Sequence, residues 1–184
     1  MMKLFTGLGC FFLLGLLLAL AGCQANEATP AAEGGNDMTI SITSTAFKEG
    51  EKIPRIDTCD DQNVSPPFDW TGVPTNTITL ALIMDDPDAP AGTWVHWVLF
   101  NLPAGTSQLA QGKNGGGTEG KNDFNKIGYG GPCPPRGSTH RYYIKIYALD
   151  KSLDLKAGAT KAQLESAMKG HILVQGQLIG VYGR

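Results

Sequence analysis

Apolar positions fall into three regimes along the chain. From Leu8 to Ala21 they are nearly continuous. From Gln24 to Asp37 there is no large apolar side chain. From Met38 they return as short runs between clusters of proline and glycine. In this third regime most runs alternate with a period of two, which marks strands rather than helices. MTISITS (Met38–Ser44) alternates. TITLALIMD (Thr77–Asp85) is apolar throughout its middle, the pattern of a strand buried on both faces. WVHWVLFNL (Trp94–Leu102) places Trp94, His96, Val98 and Phe100 on one face. RYYIKIYAL (Arg141–Leu149) places Tyr142, Ile144, Ile146 and Ala148 on one face and turns Arg141 to the other. HILVQGQLIGVY (His171–Tyr182) reads as one or two further strands. One helix is well signalled: Thr160 to Gln163 fits a capping box, and LESAMK carries the helix to a terminating Gly170. The pattern is mainly β with a minor helical element, arranged as a sandwich or a closed barrel.

The first two regimes precede the folded domain. Lys3 stands before an apolar run that is too short and wrongly flanked to span a bilayer. The run ends in Leu20-Ala21-Gly22-Cys23, which resembles a bacterial lipoprotein signal. Residues 1–22 would be removed and Cys23 diacylated; an ordinary secretory signal cut at a nearby small residue is the competing reading. Two or more acyl chains give stable anchoring, so the resemblance implies a lipid-anchored protein of the bacterial cell envelope, on the periplasmic face or the cell surface. Gln24 after Cys23 is compatible with outer-membrane sorting. Residues 23–37 cannot bury enough surface to order themselves and read as a flexible tether, with a reach of about 20 Å for roughly fourteen residues. Residues 38–184 form the domain. A net charge of -2 gives no reason to expect a nucleic-acid surface.

Export changes the meaning of the cysteines. With Cys10 in the signal and Cys23 lipidated, Cys59 and Cys133 remain. In an oxidising compartment they can form a disulfide, closing a loop that the chain-entropy model values at roughly 4 kcal/mol. The alternative is two thiols that never come within bridging distance.

Candidate chemistry gathers in two proline-stiffened loops. DDPDAPAGTWVHW (Asp85–Trp97) carries Asp86, Asp88, Trp94 and His96, and GPCPPRGSTHRY (Gly131–Tyr142) carries His140, Arg141 and Tyr142. Each histidine alone is an ordinary structural residue. Together with Asp86 the pair can donate to an anion, with the carboxylate fixing one ring and Trp94 and Tyr142 supplying apolar walls. Binding would then weaken as pH rises and the histidines lose charge. Three other chemistries fit less well. A metal held by His96, His140 and Asp86 or Asp88 lacks close-spaced ligands. A Cys133–His140 nucleophile, with Ser138 between them, needs a free thiolate. GGGTEGKN (Gly115–Asn122) misses the phosphate-loop pattern at Asn122, lies between no strand and helix, and reads as a mobile loop bordering the site. No catalytic residue, metal or cofactor is therefore expected.

Asp86-Pro87-Asp88-Ala89-Pro90, then Trp94 and His96, then Gly131-Pro132-Cys133-Pro134-Pro135 and His140-Arg141-Tyr142 resemble the signature of the phosphatidylethanolamine-binding protein family. TCDDQNVSPPFDW and GYGGPCPPRGSTHRYYIKIYALD are similar to its bacterial Raf-kinase-inhibitor-like branch, and the likeness runs from Phe47 to Arg184. It implies a β-sandwich of two antiparallel sheets with a few short helices. It also implies a small pocket for phosphate, sulfate, acetate or a phospholipid headgroup. The pocket would be lined by Asp86, Pro90, Trp94, His96, Pro135, His140 and Tyr142. Eukaryotic members add a C-terminal helix beside the pocket; none follows here, so a more open pocket is expected. The family also contains inhibitors and regulators of other proteins. For an exported chain the alternative partner is a protease, met by the pocket rim and Gly112–Lys126.

Overall fold

The computed structural model of the chain describes residues 39–184. The signal peptide at 1–22, the lipidation at Cys23 and the tether at 23–37 lie outside the described residues. Two antiparallel sheets make up the architecture. The smaller has the order β1 (Ser41–Thr43), β2 (Phe68–Thr71), β5 (Gln108–Leu109). The larger has the order β6 (Thr118–Glu119), β4 (Trp94–Pro103), β3 (Thr79–Asp86), β7 (Thr139–Leu149), β8 (Ile172–Gly183). The His171–Tyr182 stretch is thus a single strand, paired along nearly its whole length with β7. The helix α1 (Lys161–Met168) has the expected capping box: Thr160 Oγ1 accepts from Gln163 N, and Thr160 N donates to the Gln163 side chain. Gly170 follows it with φ +79°, a left-handed stop that glycine adopts without strain.

The central strand explains its own composition. All eight residues of β3 are buried. Leu80, Leu82 and Met84 point between the sheets, against Phe68, Trp70, Tyr142, Ile144 and Ile146. Ala81 and Ile83 point the other way, into a second cluster closed by Leu153, Leu164 and Met168. A run apolar at both parities is therefore required, because α1 and its approach cover the outer face. Each such aliphatic side chain contributes about 1.5–3 kcal/mol by leaving water. The β7 face of Tyr142, Ile144, Ile146 and Ala148 is as its alternation predicts, with Arg141 exposed on the opposite side.

Strand β4 departs from simple alternation. Val98 and Phe100 pack in the outer cluster, whereas Trp94 and His96 line a cavity at the sheet's rim. The predicted single face of Trp94, His96, Val98 and Phe100 does not exist. The register against β3 steps from Met84↔Trp97 to Asp85↔Val95, leaving His96 as an extra residue. A second step between Leu80 and Leu82 leaves an extra residue near Asn101, whose φ is +53°. Bulges of this kind re-aim side chains without ending the strand. The Asn101 side chain is used on the spot, bonding both the N–H and the C=O of Leu153 at 2.8 and 2.9 Å.

Chain from Ile40 to Ile53 seals the free edge of β8 through Ile40 N→Gln175 O, Gly50 N→Ile179 O and Ile53 N→Val181 O. This crossing explains Gly176, where a Cβ would collide with the Ile40 carbonyl. Cys59 and Cys133 are bonded, with their Cα atoms 5.4 Å apart. The bond ties the segment after the 3₁₀ turn at Arg55–Asp57 to the proline loop before β7.

Candidate ligand-binding site

Antiparallel pairing brings three strand ends to one rim. Asp86 closes β3 opposite Trp94, which opens β4, while β7 begins beside them at Thr139. Between these ends lies a cavity of about 210 Å³, lined by Asp86, Ala89, Pro90, Trp94, His96, Phe124, Cys133, Pro134, Pro135 and His140. The two loops singled out in the sequence therefore do converge. Six of the seven expected residues line the cavity; Tyr142 is fully buried one layer beneath, its ring edge-on to His96 at 5.1 Å.

The polar centre is a buried pair. Asp86 Oδ2 accepts from His140 Nδ1 at 2.7 Å, and both residues are nearly inaccessible. The other oxygen, Oδ1, accepts the Asp88 amide at 2.8 Å, which fixes the carboxylate. His140 Nε2 lies 3.2 Å from Ser138 Oγ, and that hydroxyl donates to the Pro135 carbonyl at 2.8 Å. With its hydrogen spent there, Ser138 faces the ring with a lone pair. The His140 ring is therefore fixed at both nitrogens, by Asp86 on one side and Ser138 on the other.

His96 is held differently, against a backbone carbonyl. Its Nδ1 is 2.6 Å from the Gly130 carbonyl, which can only accept, so Nδ1 carries the hydrogen. Burial pushes the His96 imidazole below its ordinary pKa, outweighing the opposing pull of the Gly130 carbonyl, Asp86 and Asp123. In a neutral ring with hydrogen on Nδ1, Nε2 is an acceptor. The expectation that both imidazoles donate is thus altered: one ring donates and the other accepts. Burial, reinforced by Asp86, likewise raises the Tyr142 phenol far above its ordinary range and keeps it neutral. Tyr142 Oη and Trp94 Nε1 are sealed from solvent and have no hydrogen-bond partner.

Asp88 does not belong to the cavity. Its carboxylate is gripped by Arg141 through Nε at 2.9 Å and Nη2 at 2.6 Å, and by the Arg141 amide at 2.9 Å. These bonds hold the Asp88 carboxyl at about 2. The clamp fastens the DPDAP turn to the first residues of β7. Among the described residues no group of three or more His, Cys, Asp or Glu side chains could hold a metal ion. Cys133 has no thiolate to offer as a nucleophile, because its sulfur is bonded to Cys59.

Phe124 is the wall residue that sequence reasoning missed. It stands edge-on to Trp94 and to His96, 5.4 Å from each. Its segment, expected to include a mobile loop, is instead pinned along β4. Gly120 N bonds Val98 O, Asp123 N bonds Val95 O, and Gly130 N bonds His96 O, at 2.7 to 3.0 Å. Asn122 organises the turn: it is buried, donates to Gly128 O, and accepts the Phe124 and Lys126 amides. The residue that spoils the phosphate-loop pattern is the one that aims Phe124. A large aromatic in a glycine-rich stretch next to a suspected site was the available signal, and Tyr129 shares it.

Fold and site together define a binding protein with a small, mostly apolar pocket at one rim of a β-sandwich. The family model described as phosphatidylethanolamine-binding protein matches residues 43–183; the chain belongs to this family. It is 45% identical over 151 residues to the UPF0098 protein of Methanothermobacter thermautotrophicus, covering 79% of this chain and 99% of that one. Among solved structures, a phosphatidylethanolamine-binding protein homologue from Chlamydia trachomatis superposes with a TM-score of 0.76 at 40% identity, covering 80% of this chain and 99% of its own. YbcL of E. coli, described as a new member of the mammalian family, gives 0.74 at 30% identity, covering 79% and 98%.

Proposed function

We propose that the pocket binds a small anion or phosphorylated headgroup, and that the protein does this while lipid-anchored through Cys23 in the bacterial cell envelope. The observation that carries the binding reading is the buried Asp86–His140 pair. It sets the His140 imidazole, oriented by Asp86, at a cavity of about 210 Å³, the size for a headgroup rather than a whole lipid. Apolar faces of Trp94 and Phe124 and a wall of prolines surround it, so a charge entering the cavity leaves most of its water behind and interacts strongly with the imidazole. The family's name, phosphatidylethanolamine-binding protein, supports the same ligand class. Calorimetric titration of phosphoethanolamine into the wild type and His140→Ala tests it. At least a tenfold loss in the variant is expected, on the order of one charge-assisted hydrogen bond. Equal affinity in both proteins removes His140 from the site. For the anchor, full-length protein should partition into detergent phase and Cys23→Ala into the aqueous phase; identical partitioning rejects lipidation at Cys23.

A further inference from the structure

Among the described residues four large aliphatic side chains are exposed: Ile78, Ile127, Ile172 and Leu173. Three of them share one end of the larger sheet. Ile78 N donates to Leu149 O at 2.8 Å, and Ile172 pairs with the same Leu149 from the other side. Leu173 is turned out by a bulge: the register steps from Ala148↔Val174 to Leu149↔Ile172 and leaves it as the extra residue. A strand that alternates would bury one of two neighbours, yet Ile172 and Leu173 are both exposed, at 42% and 36%. A cluster of aliphatics held in water in this way marks a contact surface rather than a core position. This end lies opposite the rim cavity, because β7 runs from Thr139 at the rim to Leu149, roughly 30 Å away at the rise of a strand.

The same end is where the chain enters the domain. The entering segment follows β8 in the same direction, with Ile40 N on Gln175 O, Gly50 N on Ile179 O and Ile53 N on Val181 O. Traced backwards, it leaves past Gln175 toward Leu173. Cys23 stands 16 positions before Thr39, and a random coil of that length holds its ends about 20 Å apart. A lipid on Cys23 therefore keeps this end, and not the rim, nearest the bilayer. We propose that Ile78, Ile172 and Leu173 rest on the bilayer that holds Cys23, at the boundary of headgroups and acyl chains, and that the rim cavity consequently faces the aqueous phase. This rests on the Cys23 anchor proposed above. Anchoring supplies a high local concentration, so a contact too weak for a free domain suffices. Lys151 and Lys169 are exposed at the same end, and Asp150 and Asp154 offset them, with Asp150 held by His171 at 2.9 Å. The contact is therefore apolar rather than electrostatic. The cavity then takes its ligand from the aqueous compartment and not from the leaflet that carries the anchor.

Fluorescence quenching by membrane-borne spin labels decides it, on the full-length, disulfide-intact protein in phosphatidylcholine vesicles. An environment-sensitive fluorophore is attached through Leu173→Cys or, separately, through Arg136→Cys in the rim loop, and a lipid spin-labelled near its headgroup is the quencher. The label at position 173 should be quenched at least about twofold more strongly than the label at position 136, because only the former reaches the interfacial layer, about 5–10 Å deep. The difference should persist in about 0.5 M salt, where charge attraction is screened within a few ångströms. Adding Ile78→Ser and Ile172→Ser should diminish it. Equal quenching at the two positions, or stronger quenching at position 136, overturns the inference and leaves the anchor standing. A difference abolished by salt also overturns it, by assigning the contact to the lysines. Mass spectrometry of the same preparation reports acylation at Cys23: an unacylated Cys23 removes the anchor and the inference with it. Should the chain carrying Ile78→Ser and Ile172→Ser not fold, the two labels on the otherwise unaltered chain still decide.

Discussion

Removing the Cys59–Cys133 cross-link is the perturbation whose magnitude follows most directly from the chain. The two cysteines are separated by 74 residues. Closing a loop of that length in the unfolded chain removes entropy worth roughly 4 kcal/mol at room temperature in the chain-entropy model. A domain of this size is stable by about 5–15 kcal/mol in total, so the variant should still fold, with a sharply lowered margin. The native geometry around the bond has independent ties: Gly131 N to Asn63 Oδ1 at 2.7 Å, Tyr129 Oη to Asp57 O at 2.6 Å, and Cys59 N to Pro132 O at 3.1 Å. The loss should therefore appear mainly in the unfolded state and not as a collapsed pocket. Urea unfolding of Cys59→Ser/Cys133→Ser against the oxidised wild type, followed by tryptophan fluorescence, measures it. With a slope near 2 kcal/mol/M, the midpoint should fall by about 2 M, and the slope should rise because the uncrosslinked chain exposes more surface. Midpoints within about 0.5 M of each other would refute the entropic reasoning.

Three further outcomes are expected. Asn122→Ala leaves the Phe124 and Lys126 amides and the Gly128 carbonyl without their partner; it should cost about 2–4 kcal/mol and weaken phosphoethanolamine binding by releasing Phe124, both read in parallel by urea unfolding and calorimetry. Asp85 is buried and holds Lys145 and Lys161 at 3.0 and 2.5 Å. Asp85→Ala should cost about 3 kcal/mol, at the lower end for a broken buried pair because both lysines can turn partly to water. Arg141→Ala opens the exposed Asp88 clamp and should lower stability only slightly, as expected of a solvent-screened surface pair. Because the clamp depresses the Asp88 carboxyl to about 2, its contribution is complete above the unfolded value near 3.9 and disappears as pH falls through about 2. The wild type and Arg141→Ala should therefore converge in stability under strong acid.

What the sequence made legible was whatever local period or local chemistry encodes. The two-sided burial of β3, the inward face of β7 and the capping box at Thr160 are all written in neighbouring residues. The convergence of the two proline loops was legible because a small set of unusual residues recurs in both, and the family likeness joined them. The facing of β4 was not: two bulges shift its alternation, and their cause is the register against β3, which no residue of β4 itself encodes. The roles of Asp85 and Asp88 were equally hidden. Three acidic residues within four positions look alike, and only the fold sends Asp85 to two lysines, Asp86 to His140 and Asp88 to Arg141. The different partners of the two histidines were also out of reach, since one ring meets the Gly130 carbonyl and the other meets Asp86 and Ser138.

The most direct test of the binding claim is nuclear magnetic resonance of the ¹⁵N-labelled imidazole and indole groups during titration with phosphoethanolamine. Saturable shifts at His96, His140 and Trp94, with His171 on the far α1–β8 connection unmoved, are the expected result. Unchanged His96 and His140 resonances at saturating phosphoethanolamine, or shifts confined to His171, would contradict an anion site at the Asp86–His140 pair.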